Sequence, residues 1–364
     1  MSRPRCILRS LLAALVLLGL SGCATHLRSG PKTIPGARFD YSTAINRSWK
    51  EETLLNLVKM RYLDPPVFLE VQQVVAQYTF DHTASINSTD WYGNSAAGVP
   101  AASIGGRWAE SPTITYTPLS GEKFTKSLLR PVQPADMFAL VQAGWPIDAV
   151  FGVGVRAING LHAGSRTELL KQTGDPDFYR VLAMLRELQA TNEFGLRVEE
   201  KPGSAVAIVV FRAHQLDQAK AATAREVRQL LHLSPDAEEF KLSIGAVAAS
   251  DKEIAMLTRS MMEIIAEASA EIPDSDITEG RATRMGTAGA PSDLGPAFSL
   301  RVRSSATKPA ANEVSTVVQY RNHWFWVDDR DLNAKRGLGF LMVLLTLAES
   351  GQPGSPPVLT ISKP

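Results

Sequence analysis

The chain has 364 residues, 45% of them hydrophobic, with 38 Lys plus Arg against 37 Asp plus Glu and a formal net charge of +1. That length and apolar content suffice for one large domain or two smaller ones with real cores, and the even charge balance, without a basic block, argues against nucleic acid as a partner. Cys6 and Cys23 are the only cysteines, and beyond the N-terminal segment the longest apolar run, Leu338 to Ala348, has about half the ~20 residues of a membrane-spanning helix.

Arg3, Arg5 and Arg9 make a basic n-region, and Ile7 to Leu20 is apolar apart from Arg9, Ser10 and Gly19. The stretch is too short for a permanent span and reads as a signal peptide over residues 1–22. It ends in Leu20-Ser21-Gly22-Cys23, which resembles the lipobox of bacterial lipoproteins, here of unassigned function. The resemblance covers only the first 23 residues. It implies cleavage before Cys23, diacylglyceryl transfer to the Cys23 thiol and N-acylation of the new terminus. Each buried methylene contributes about 0.8 kcal/mol and stable anchoring needs more than one chain, so the three-chain modification makes the membrane the first expected partner. Ala24, where an Asp would signal retention, implies the outer membrane facing the periplasm. With Cys6 removed and Cys23 lipidated the mature protein has no disulfide, and loss of the three arginines takes the net charge to −2.

Residues 23–40 are polar and turn-rich and read as a tether. Ser42 is placed to cap a helix reaching about Tyr62, with Ile45, Trp49, Leu54, Leu55, Val58 and Tyr62 at helical spacing and Asp64-Pro65-Pro66 ending it. Val67–Val71 and Val74–Phe80 read as a strand or two, followed by a long Gly/Ser/Asn-rich loop from Asn87 to Gly106. Thr113–Thr117 alternates like a strand. Gly121–Leu129 and Pro134–Ala143 read as short helices, the second with proline suitably in its first turn. Asp148–Ile158 is apolar and fits helix or strand, with Asn159-Gly160 after it.

Asp175-Pro176-Asp177 opens a helix with Phe178, Val181, Leu182, Leu185 and Leu188 on one face, and Leu196–Glu200 with Ala205–Phe211 makes a β-hairpin. Helices are expected at Leu216–His232 and Asp251–Ala270, the latter with a stripe from Ile254 to Ala268, separated by a strand at Glu239–Val247. Pro273–Pro296 reads as a mobile loop or boundary. Strands follow at Ala297–Arg303, Glu313–Arg321 and His323–Val327, then a buried helix at Leu332–Ala348 and a short strand at Pro357–Ile361. Without a βαβ repeat, this order predicts an α+β fold of mainly antiparallel sheet with packed amphipathic helices. One large domain or two smaller ones fit, an N-terminal region 41–212 and a C-terminal region 213–364.

Asp329, Asp331 and Asn333 match the first side-chain positions of a calcium-binding EF-hand loop, but Ala334 replaces the required glycine and Phe340 the bidentate acid. The acids are therefore expected to cap the final helix, and Trp324 and Trp326 to pack upon it. No histidine pair has metal-ligand spacing, Gly152-x-Gly154 lacks the rest of a nucleotide-binding turn, and no Gly-x-Ser-x-Gly elbow occurs. Neither metal, cofactor nor catalytic residue is nominated. Trp91 and Tyr92 lie in a polar loop, where large aromatics suit an interface. The leading reading is a non-catalytic, lipid-anchored periplasmic protein that binds another envelope component, a protein, in assembly. Its rivals are a periplasmic hydrolase with dispersed catalytic residues and a solute-binding protein.

Overall fold

The computed structural model describes residues 34–75, 78–87, 101–110, 113–165, 173–190, 194–201, 204–211, 218–270, 272 and 300–349. The expected signal peptide, Cys23, Trp91, Tyr92, the expected loop 273–296 and the expected Pro357–Ile361 strand lie outside them. The chain forms two units, residues 1–51 and 52–364. The described part of the first belongs to helix α1 (Ile34–Arg61), where Arg47 and Glu51 pair at 2.9 Å one turn apart. Pro35 falls in the first turn, where its missing N–H costs nothing. The helix therefore starts before Ser42 and takes in residues expected in the tether. The expected stripe does not share one fate: Leu54, Val58 and Tyr62 are buried, whereas Trp49 is 36% exposed.

In the second unit, strands β1 (Leu69–Val75), β2 (Tyr78–Asn87), β3 (Ala101–Glu110) and β4 (Thr113–Pro118) form two antiparallel ladders, β1 with β4 and β2 with β3. Strand β3 corrects the expectation of loop through Gly106. Its Ala, Ser and Gly residues have little β-propensity of their own, and pairing along the whole length of β2 supplies what local preference lacks. A short helix α2 (Gly121–Phe124) runs on through a π-helical turn at Thr125–Leu129, and α3 (Pro134–Gln142) and α4 (Ile147–Gly154) follow.

Strands β5 (Val155–Ile158), β6 (Leu161–His162), β7 (Phe194–Lys201), β8 (Ser204–Phe211), β9 (Glu239–Ile244) and β10 (Glu253–Thr258) build one six-stranded sheet in the order β6-β5-β10-β9-β8-β7. All neighbours are antiparallel except β9 and β10. The sheet draws strands from both sides of residue 212. Helix α3 packs on β7, β9 and β10, while α5 (Pro176–Gln189) packs on α4 and on α6 (Gln218–Leu230). Phe138 and Phe151 meet edge to face at 5.1 Å where α3 and α4 cross.

Strand β10 overturns the helix expected from Asp251. Ile254, Ala255 and Met256 are consecutive and all buried, the pattern of a strand covered on both faces, which periodicity alone does not separate from a buried helix. Helix α7 starts only at Met261 and ends at Ser269. Its start is a capping box: Ser260 Oγ accepts the Glu263 N–H at 3.2 Å, and the Glu263 carboxylate accepts the Ser260 N–H at 3.0 Å. The apolar stretch Asp148–Ile158 divides likewise, helix to Gly154 and strand from Val155.

Strands β11 (Arg303–Ser305), β12 (Val314–Tyr320) and β13 (His323–Asp328) form a three-stranded antiparallel sheet with β13 central, and α8 (Leu332–Glu349) packs on β13 and α7. Phe325 and Val327 supply the buried face of β13. Trp324 and Trp326 alternate with them and are half-buried on the other face, with Lys308 4.9 Å above the Trp324 ring. The tryptophans therefore do not make the packing surface for α8. Trp145 does meet that helix, its ring 4.8 Å from Phe340.

Candidate functional site

The acids before α8 are fully engaged. Asp331 Oδ1 accepts the Ala334 N–H at 3.0 Å, as an N-cap does. Asp329 pairs with Lys335 at 2.6 Å. Asp328 pairs with Arg303 at 3.1 Å and accepts the Arg330 N–H at 2.8 Å. Among the described residues no group of three or more His, Cys, Asp or Glu is placed to hold a metal ion. An open depression of about 640 Å³ lies beside this turn, lined by Arg301, Arg303, Asp328, Arg330, Asp331 and Leu332. Arg301 pairs with Asp331 and Arg303 with Asp328 there, so two of the three lining arginines are compensated by the two aspartates and the basin is slightly positive.

A buried ionic centre lies between α4, β10 and α7, at Arg259, which is 5% exposed. A helix leaves its last four carbonyls without intrahelical partners, and at the end of α4 each is accounted for. Phe151 O accepts the Val155 N–H. The Arg259 guanidinium donates to Gly152 O at 3.1 Å and Val153 O at 2.9 Å, and the Arg259 backbone N–H donates to Gly154 O at 2.8 Å. A further guanidinium bond reaches Gly164 O at 2.7 Å. Burial lowers the Arg259 pKa, with Glu267 the largest opposing influence. Ser165 donates to Glu267, and Tyr179 Oη accepts the Gly164 N–H at 3.0 Å. Every polar contact of this guanidinium closes a structural gap, and the centre acts as a lock joining helix, strand and loop. Nothing in the sequence motifs singled out Arg259; a basic residue at the end of an apolar run and beside a capping box was the available signal.

His162 and Asp175 form a second polar junction, with the His162 N–H donating to Asp175 Oδ2 at 2.7 Å and the imidazole 3.6 Å from the same carboxylate. At that separation the ring contact is electrostatic rather than a hydrogen bond.

Part of the exposed apolar surface lies on the β1–β4 ladder and at Val67 just before it, the rest being spread over positions such as Phe39, Leu63, Leu129, Ile244, Val247 and Leu332. Val67 is 47%, Leu69 38%, Ile114 37% and Tyr116 50% exposed. The register explains their common placement. Leu69 lies opposite Pro118, Val71 opposite Tyr116 and Val74 opposite Ile114, with Gln72 as an extra residue between Val71 and Gln73. Strand residues alternate between faces, and a bulge resets the alternation. Without it, Leu69 and Val71 would share a face with Gln73; with it, they join Val74, Ile114 and Tyr116. The β2–β3 ladder holds the same frame, since Val75 lies opposite Thr113 and, three positions on, Tyr78 lies opposite Glu110. The alternation was legible in Thr113–Thr117, but the bulge and the partner strand were not.

Trp91 and Tyr92, expected as interface anchors, fall between β2 and β3, outside the described residues. No family model, no curated protein and no solved structure matches this chain.

Proposed function

We propose that this protein is a non-catalytic, lipid-anchored component of the bacterial envelope, held to the outer membrane through Cys23, that engages an envelope partner with its β1–β4 and β2–β3 ladders. The observation that carries the reading is the apolar face of the β1–β4 ladder, brought into phase by the Gln72 bulge and left open at Leu69, Ile114 and Tyr116. A ladder of two strands gains little stability in water unless another surface covers it, and open strand edges invite pairing. The lipobox resemblance supports the anchor, and the buried ionic centres support a framework built for rigidity.

The test is photo-crosslinking in intact envelopes, with a photoreactive residue replacing Tyr116 in one version and Thr115 in another. Protein adducts at Tyr116 that disappear in the Cys23→Ala background are expected, with few at Thr115 on the opposite face. Equal or absent cross-linking at the two positions refutes the reading.

A further inference from the structure

We infer that the two ladders form one ribbon whose outer part inserts into a lipid bilayer, as one hairpin of a β-barrel closed by several copies of this chain. The inference deepens the docking reading above and rests on it. Its ground is the pairing of β2 with β3. On one face the register sets Phe80 opposite Trp108, Ala84 opposite Ile104 and Ile86 opposite Ala102. On the other it sets Asp81 opposite Arg107, Thr83 opposite Gly105 and Ser85 opposite Ser103. This dyad alternation of apolar with small polar residues is what a strand needs between acyl chains and an aqueous lumen.

The dimensions agree. Each strand has 10 residues, and at about 3.3 Å per residue and a tilt near 40° such strands rise about 25 Å, the height of a barrel's apolar band. Tyr78, Phe80 and Trp108 hold register positions at the inner end of the ladder, with Tyr78 opposite Glu110, the level at which an aromatic girdle would meet the headgroups. His82, opposite Gly106, interrupts the apolar face once between Phe80 and Ala84. The opposed charges of Asp81 and Arg107 sit on the lumen face.

The same geometry requires more than one copy. A two-stranded ribbon has two open edges, and hydrocarbon offers no partner to their unpaired backbone groups. Neighbouring ribbons supply the partners, as in any closed barrel. The Gln72 bulge then serves to carry the apolar face inward from the bilayer, so that the β1–β4 segment faces the same side as the inserted part.

The experiment uses the full lipidated chain, which has no cysteine after Cys23, in phosphatidylethanolamine/phosphatidylglycerol vesicles. Single substitutions Ala84→Cys, Ser85→Cys, Ser103→Cys and Ile104→Cys each carry an environment-sensitive fluorophore, with circular dichroism checking the fold of each. The expected result is blue-shifted emission, quenched by lipids with nitroxide-labelled acyl chains, at positions 84 and 104 and not at 85 and 103, together with one discrete multimer on chemical cross-linking. Ile104→Asp should abolish quenching at position 84, and Ser103→Asp should leave it. Monomer alone, or emission from 84 and 104 that is shielded without nitroxide quenching, overturns the bilayer proposal and leaves the docking reading standing. Solvent-like emission at all four positions also overturns it, and cross-linking at Tyr116 then decides the docking reading separately.

Discussion

Replacing Arg259 by methionine tests whether the buried guanidinium is the lock that the geometry describes. The change keeps most of the side-chain volume while removing three charge-assisted bonds, to Gly152 O, Val153 O and Gly164 O. Three such bonds at ~1.5–3 kcal/mol each would sum to about 4.5–9 kcal/mol, but the end of α4 can fray and admit water. The better guide is the loss on removing one partner of a buried ionic contact, about 3–5 kcal/mol. Glu267, 9% exposed, would lose its compensating cation. Arg259→Met combined with Glu267→Gln should therefore cost less than the sum of the single changes, by about 1–3 kcal/mol. Arg259→Lys should recover little, because an ammonium lacks the planar fork that spans adjacent carbonyls. Urea denaturation of the Cys23→Ala protein, followed by circular dichroism and tryptophan fluorescence, measures all four. A loss below about 0.5 kcal/mol for Arg259→Met, within the range of an ordinary surface change, or strict additivity with Glu267→Gln, would falsify the lock.

Asn159→Ala removes side-chain bonds to Leu231 O, Glu253 O and the Ala255 N–H, at 2.8, 3.1 and 2.7 Å. It also places alanine at a φ of 45°, so a loss of about 2–4 kcal/mol is expected by urea titration; a change of a few tenths would show that water replaces the amide. Gly174→Ala would put a Cβ 2.5 Å from the Gly164 N and 2.8 Å from the Tyr179 ring. It should lower Tm by several degrees, and an unchanged Tm would mean that this junction yields freely. Asp331→Ala should cost about 0.5–2 kcal/mol as a lost N-cap, while added calcium leaves the wild-type Tm unchanged; a calcium-dependent rise would restore the metal reading.

Burial raises the Asp136 carboxyl above its ordinary value of 3.8. Between 3.8 and the raised value the folded protein holds a proton that the unfolded chain has released, and stability falls as pH climbs through this window. Asp136→Asn should therefore raise Tm at neutral pH and change it little below pH 3.8; equal effects at both ends would contradict the assignment.

Much of the order of elements could be read along the chain. Helix α5 follows Asp175-Pro176 with its apolar face at Phe178, Val181, Leu182, Leu185 and Leu188, and those residues are buried. The β7–β8 hairpin, the adjacent strands β12 and β13 and the cap at Asp331 were legible for the same reason: each depends on neighbours close in sequence. The errors fall where distant residues decide. Ile254 to Met256 suits a helix until β5 and β9 flank it, and the Ser260–Glu263 box was the overlooked local mark of where helix begins. Residues 101–106 look like loop until β2 lies beside them.

Local chemistry thus set the α+β class, the starts of α3, α5 and α8 and most turns, because caps, prolines and alternation act within a few residues. Three features needed the folded chain: the parallel contact of β9 and β10, the closure of α4 by Arg259, and the joining of Leu69, Ile114 and Tyr116 into one open face. Each depends on partners far apart in sequence, and a single extra residue, Gln72, determines on which side of the ladder Leu69 and Val71 emerge.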